Sequence, residues 1–237
     1  MAEIYRTLSF LPLAVPASAR HDGGMEIALL LYDGLAPLDA VGPYEVMRNV
    51  PGWEVRSVAK EKGECRSEDG SLALLADYSL AEVSAPDIVV VPGGIGNRRL
   101  LGDAELLDWL RGVDRETKWT TSVCTGSLLL GAAGLLQGKR ATTNWLQLDA
   151  LAEFGAEPVG GRFVEDGKIL TGAGVTAGID MALHLVAREV GPELAQAVQL
   201  GIEYDPDPPF DSGSPQKAPP EIVELVSAYA AKTEAGS

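Results

Sequence analysis

The sequence predicts a single α/β domain, a doubly wound and mostly parallel sheet, and three observations carry that reading. The stretches 25–32 (MEIALLLY) and 87–91 (DIVVV) are apolar on both faces over strand length, as in a sheet covered on each side. Segments of helical period separate such runs, and turn formers such as Pro92-Gly93-Gly94 close them. Of the 237 residues, 46% are hydrophobic and 22% charged, which suits one folded domain and leaves no segment able to fold alone as a second.

The elements follow in order. Residues 1–24 differ from the rest: Leu8 to Val15 is a short apolar stretch broken by Pro12, and Ala17-Ser18-Ala19 resembles a signal cleavage site. Glu3 offsets Arg6, so the net positive start of a secretory signal is missing, and 1–24 reads as an extension to a domain over 25–237. A helix is expected over 37–50, an alternating strand over 53–59, and a hairpin of 64–66 with 72–75 around Asp69-Gly70. Next come a helix over 104–113 and a strand over 119–123. The stretch 125–136 (TGSLLLGAAGLL) has helical period and many small residues, which predicts a deeply buried helix. A short strand over 168–170 precedes helices over 175–190 and 192–203. Six prolines make 205–220 a surface loop, and 221–231 reads as a last helix.

Composition narrows the function. Acidic side chains outnumber basic ones 34 to 19, a net charge of −15 that lacks the basic stripe a nucleic-acid surface needs. No apolar run reaches the roughly 18–20 residues of a membrane-spanning helix, and a cytoplasmic protein with a small-molecule substrate is expected. Two cysteines, Cys65 and Cys124, and two histidines, His21 and His184, speak against a four-ligand zinc site or a disulfide framework.

The segment Thr121-Ser122-Val123-Cys124-Thr125-Gly126-Ser127 ends a strand, turns at one residue and starts a small-residue helix. That is the pattern of a nucleophile elbow. A free thiol with a pKa near 8.5 is only about 3% ionised at neutral pH, and a helix N-terminus favours thiolate. A reactive thiol of lowered pKa is therefore expected at Cys124, against the plainer reading of a small buried apolar residue. Cys65, in the hairpin beside Glu64 and Arg66, reads as incidental. His21 lies in the extension, and His184, one turn from Asp180 and from Arg188, reads as a structural histidine. That leaves a carboxylate as the thiol's partner. Asp39 follows the first strand, and loops after the strand carboxyl ends converge on one crevice. It reads equally as an N-terminal helix cap or as the partner. Beside a thiolate it would hold a proton and titrate with the sulfur as a pair. Gly94 and Thr125 are placed to offer backbone N–H groups to a developing charge.

At these residues the chain resembles the ThiJ/PfpI superfamily, whose fold is flavodoxin-like, of the class I glutamine amidotransferase type. Within it the resemblance is to isonitrile (isocyanide) hydratases. It spans about residues 26–220 and rests on DIVVVPGG at 87–94, TSVCTGSL at 121–128, LLQGKRATT at 135–143, LTGAGVTAGID at 170–180 and EYDP at 203–206. The resemblance implies Cys124 as nucleophile, Asp39 as its carboxylate partner, Thr125 as a neighbouring site residue, a homodimer and no cofactor. It implies attack of sulfur on an isonitrile carbon and release of an N-substituted formamide through a thioimidate. Similar hydratases usually carry histidine after the Thr-Thr pair, where this chain has Asn144, an amide that cannot titrate near neutral pH. Three other readings stand beside this one: a glyoxalase- or deglycase-like reaction, a specialised biosynthetic lyase or hydrolase, and a non-catalytic ligand- or redox-sensing domain. The charge of −15, and one short helix before Ser237, leave little for a DNA-reading module.

Overall fold

Seven strands lie in one sheet of order β10-β11-β7-β6-β1-β2-β5 in the computed structural model, which describes residues 24–235. They are β1 (Met25–Leu30), β2 (Trp53–Ala59), β5 (Tyr78–Ser79), β6 (Ile88–Val91), β7 (Trp119–Val123), β10 (Phe163–Asp166) and β11 (Ile169–Gly172). All neighbours pair parallel except β10, which runs antiparallel to β11 at the edge. The expected hairpin is β3 (Gly63–Arg66) against β4 (Ala73–Ala76), with Cys65 opposite Leu74. A small parallel pair, β8 (Arg140–Ala141) and β9 (Glu157–Pro158), stands apart. The expected N-terminal extension over 1–24 falls outside the described residues, Gly24 aside.

Both faces of the sheet are covered, so its central strands bury every side chain: all of β6 and β7 are buried, including Thr120, Thr121 and Ser122. The covering helices are α1 (Pro37–Met47), the single turn α2 (Asn97–Leu100), α3 (Ala104–Glu116), α4 (Gly126–Ala132), α5 (Ala177–Val190) and α6 (Pro192–Gly201). A last helix, α7, spans Pro220–Ala235. In α3 the Asp103 carboxylate accepts the Leu106 N–H at 3.2 Å, and Leu106, Leu110 and Val113 form the buried face. Helices α1 and α5 approach closely. A Cβ on Gly42 would lie 3.1 Å from Ile179 Cγ1, and one on Gly178 would lie 3.1 Å from the Pro43 ring. No helix among the described residues is long and apolar enough to cross a membrane.

Three expectations change. The helix expected to run to residue 136 stops at Ala132, because Gly134 takes φ 80. Its N–H bonds Gly131 O at 2.8 Å and the Leu135 N–H bonds Leu130 O at 3.0 Å, a Schellman end. Strand β10 was not expected, since its FVED sequence lacks a buried run and pairs on one side only. His184 is structural, but its partner is Glu165 on β10, 2.7 Å from Nε2, and not Asp180 on its own helix. Arg188 joins the same Glu165 at 3.1 Å. Asp180 instead accepts from Arg162 Nε at 2.6 Å and from the Tyr204 hydroxyl at 3.1 Å.

Candidate active site

The carboxyl ends of β1, β6 and β7 meet at Cys124. This residue has φ 55, a left-handed backbone that non-glycine residues adopt only when their surroundings enforce it. The enforcement comes from both sides. Its N–H donates to the carbonyls of Gly172 (3.1 Å) and Ala173 (2.7 Å), while its own carbonyl accepts from the hydroxyls of Thr143 (2.8 Å) and Ser127 (3.2 Å). The sequence pattern of an elbow is thus an elbow in space.

Thr125 is held as firmly. Its carbonyl accepts from Asn97 Nδ2 at 2.9 Å, and its hydroxyl oxygen accepts the Gly94 N–H at 3.0 Å. That second bond corrects one expectation: the Gly94 donor is spent on Thr125 and does not point at the sulfur. The Thr125 N–H instead favours the ionised sulfur. Gly93 explains why glycine precedes it. A Cβ there would stand 2.5 Å from Thr125 N and 2.9 Å from Asp39 Oδ2.

Asp39 is fully buried, and its two readings separate. It caps no helix; the α1 N-cap is Ala36, and Asp39 Oδ2 accepts the Gly93 N–H at 2.9 Å. Its Oδ1 is buried with no hydrogen-bond partner, and the carboxyl stands beside the Cys124 thiol. Asn144 also reaches the site. Its Oδ1 accepts the Leu146 N–H at 3.0 Å, which fixes the amide, and the amide favours the ionised sulfur. Asp39, Thr125 and Asn144 therefore lie beside Cys124, while the Gly94 N–H is turned to Thr125.

The electrostatics reverse the expected direction. Burial, reinforced by the Asp39 carboxylate, pushes the Cys124 thiol up to about 12, against the pull of the Thr125 N–H and the Asn144 amide. Burial also pushes Asp39 up to about 7, with the Gly93 N–H opposing and Glu68 adding to the rise. The seven-residue α4 contributes only a short dipole, and desolvation outweighs it. Burial thus favours the protonated form of both groups and opposes a free-standing thiolate.

Two residues near the site were not anticipated. Tyr32, at the end of β1, donates its hydroxyl to Pro92 O at 2.8 Å and braces the Gly93 turn. Glu68 projects from the hairpin, where its Oε1 accepts the Ile95 N–H at 2.8 Å. No local pattern marks Glu68; it reaches the site because the hairpin bridges back to Leu35 through Ser67. Cys65 is buried in the core, where burial lifts its thiol to about 11. Among the described residues no group of three or more His, Cys, Asp or Glu side chains is arranged to hold a metal ion.

Residues 25–188 match the DJ-1/PfpI family. The chain belongs to that family. An isonitrile hydratase of Pseudomonas putida is 46% identical over 200 residues, 84% of this chain and 87% of that protein. The HTH-type transcriptional regulator CdhR of Pseudomonas aeruginosa is 33% identical, with the match covering 74% of this chain but only 53% of the regulator. Among solved structures, a DJ-1/PfpI relative described as a ThiJ/PfpI family protein from Pseudomonas syringae superposes with TM-score 0.87 at 38% identity, covering 94% of this chain and 95% of that one. Drosophila melanogaster DJ-1beta, at TM-score 0.68 and 23% identity over 76% of this chain, shares the fold.

Proposed function

We propose that the protein hydrates isonitriles to N-substituted formamides, with Cys124 as nucleophile and Asp39 as the group that moves protons. The observation that carries this reading is the buried, unpartnered Asp39 Oδ1 beside the elbow thiol, a proton acceptor with no other task. The 46% identity to an isonitrile hydratase supports the choice of substrate class.

As sulfur attacks the terminal carbon of R–NC, Asp39 takes the thiol proton and delivers it to that carbon. The S–H bond breaks, S–C and C–H bonds form, and the product is the thioimidate R–N=CH–S–Cys124. Charge building on sulfur meets the Thr125 N–H and the Asn144 amide. Gly94 serves by anchoring the Thr125 hydroxyl. Water then adds to the thioimidate carbon, and Asp39 passes its proton to nitrogen. The adduct collapses to R–NH–CHO, and its hydroxyl proton returns to sulfur through Asp39. Neither step needs a titrating imidazole, so Asn144 is compatible with this chemistry.

The working form carries one proton on the Cys124–Asp39 pair. Below about pH 7 both groups are protonated, so kcat/KM is expected to rise through about pH 7 and then level. Asp39→Asn should lose that limb together with on the order of 10²–10⁴-fold of the rate. An Asp39→Asn enzyme with the full rate and an unchanged profile would overturn the assignment. Stability should move the other way. A carboxyl raised on folding from 3.8 to about 7 favours the folded state below pH 4, and loses that favour as pH rises through 7. The difference is worth up to about 4 kcal/mol, so at pH 8 Asp39→Asn should melt above the wild type.

A ligand-sensing reading draws support from the regulators this chain resembles over about half their length. Turnover of an isonitrile by the purified protein decides between the two. The working unit we propose is a homodimer, because α1 exposes Leu38, Val41 and Tyr44 along one side, and α7 exposes Ile222, Leu225 and Val226. Light scattering should give twice the 24.9 kDa chain mass, and Val41→Asp should shift it toward monomer. A monomer at all concentrations would exclude the dimer.

A further inference from the structure

Glu68 holds a charge at the mouth of the site that the proposed reaction does not use. It is exposed, yet pinned at two points: its N–H donates to Leu35 O at 3.2 Å, and its Oε1 accepts the Ile95 N–H at 2.8 Å. Leu35 opens the segment that leads to Asp39, and Ile95 follows Gly93-Gly94. One carboxylate is therefore fastened across both loops that frame Cys124. The charged side chains acting most strongly on the sulfur are Asp39 and Glu68, both acidic. Two nearby cations are engaged elsewhere: Arg66 binds Glu64 at 2.7 Å and the Gly70 carbonyl at 3.2 Å, and Arg99 points to the Asp33 carbonyl at 3.5 Å. The loop after Gly93-Gly94 presents apolar surface there, with Ile95 exposed by 47%.

We infer that Glu68 is a specificity-determining residue, selecting neutral or cationic apolar substrates and rejecting those that carry a carboxylate. The identity of the reacting group, an isonitrile, rests on the hydratase reading; the selection by charge does not. A fixed, partly solvated carboxylate acting on an anion several ångströms away is worth about tenfold in rate, less in high salt.

The test uses the full chain and two alkylating agents of one size, neutral iodoacetamide and anionic iodoacetate, with modification at Cys124 located by peptide mass spectrometry. Relative to glutathione, wild-type Cys124 should disfavour iodoacetate by a further factor of about ten, and salt should shrink that factor. Glu68→Gln, whose amide oxygen can still accept the Ile95 N–H, should shrink it about two- to threefold, the remainder belonging to Asp39. Any change in thiol ionisation affects both reagents alike and cancels in the ratio. A wild-type ratio equal to that of glutathione, or one unchanged by Glu68→Gln, overturns the inference. The kcat/KM ratio of isocyanoacetate to a neutral alkyl isocyanide should move in parallel. If no isocyanide is hydrated while the alkylation ratio still responds to Glu68, the hydratase reading fails and the charge selection stands.

Discussion

Cys124→Ala is expected to form no measurable formamide from any isocyanide, a loss on the order of 10⁴-fold or more. The proposed thioimidate needs a sulfur–carbon bond, and no other side chain near the elbow can replace it: Asp39 is a carboxyl group, the Thr125 hydroxyl oxygen accepts the Gly94 N–H, and the Asn144 amide is not a nucleophile. Cys65 cannot substitute, since it lies in the hairpin opposite Leu74. Alanine keeps the same Cβ at φ 55, and the bonds that enforce the elbow are all backbone to Cys124, so folding should be nearly unaffected. Cys124→Ser should be almost as inactive, because a hydroxyl is a harder and far weaker acid than a thiol. A melting curve like the wild type's with absent turnover is the expected pair of results. Turnover above about one-hundredth of wild type in Cys124→Ala would remove sulfur from the mechanism.

Gly126→Ala should carry a large cost to stability. A Cβ at that position would fall 2.0 Å from Val91 O and 2.8 Å from Pro92 O, both backbone atoms at the end of β6. Backbone inside the central sheet cannot rotate aside as a side chain does, so α4 must lift off the strand. That overpacking should cost about 3 kcal/mol or more, roughly 6–12 °C in Tm for a chain of this size. The lift would also displace Thr125 and Cys124, and activity should fall with stability. The same substitution at Gly112 in α3 meets only the far end of Arg115 at 4.0 Å. There alanine should stabilise by about 0.5–1 kcal/mol through helix propensity. Thermal melts of the two variants side by side separate a steric cost from a general effect of losing glycine.

The central sheet was legible because its strands are written locally. Runs such as IVVV and WTTSV, closed by Pro-Gly-Gly and by Cys-Thr-Gly, declare both the strand and the turn that ends it. The elbow was legible for the same reason. What escaped was set by packing between distant segments. Edge strand β10 owes its pairing to β11, not to its own residues. Asp39 could not be assigned until its Oδ2 met the Gly93 N–H, 54 positions away. Glu68 came into view only through a hairpin folded back on Leu35. The thiol's acidity was misjudged in sign because a helix start is visible in sequence, whereas the depth of burial that outweighs it is a property of the assembled fold.

The close seating of α1 on α5 has a further consequence, for motion. Asp39 rides on α1, while the carbonyls that hold the Cys124 N–H lie in the connection from β11 into α5. With Gly42 against Ile179 and Gly178 against Pro43, the two helices have no slack in which to slide, and rocking one carries the other. The gap across which the proton would pass in the proposed reaction should therefore stay constant on the nanosecond-to-microsecond timescale of loop motion. Substrate range could then drift through changes at the rim, at Ile95 or Glu68, without retuning the proposed proton transfer beneath it.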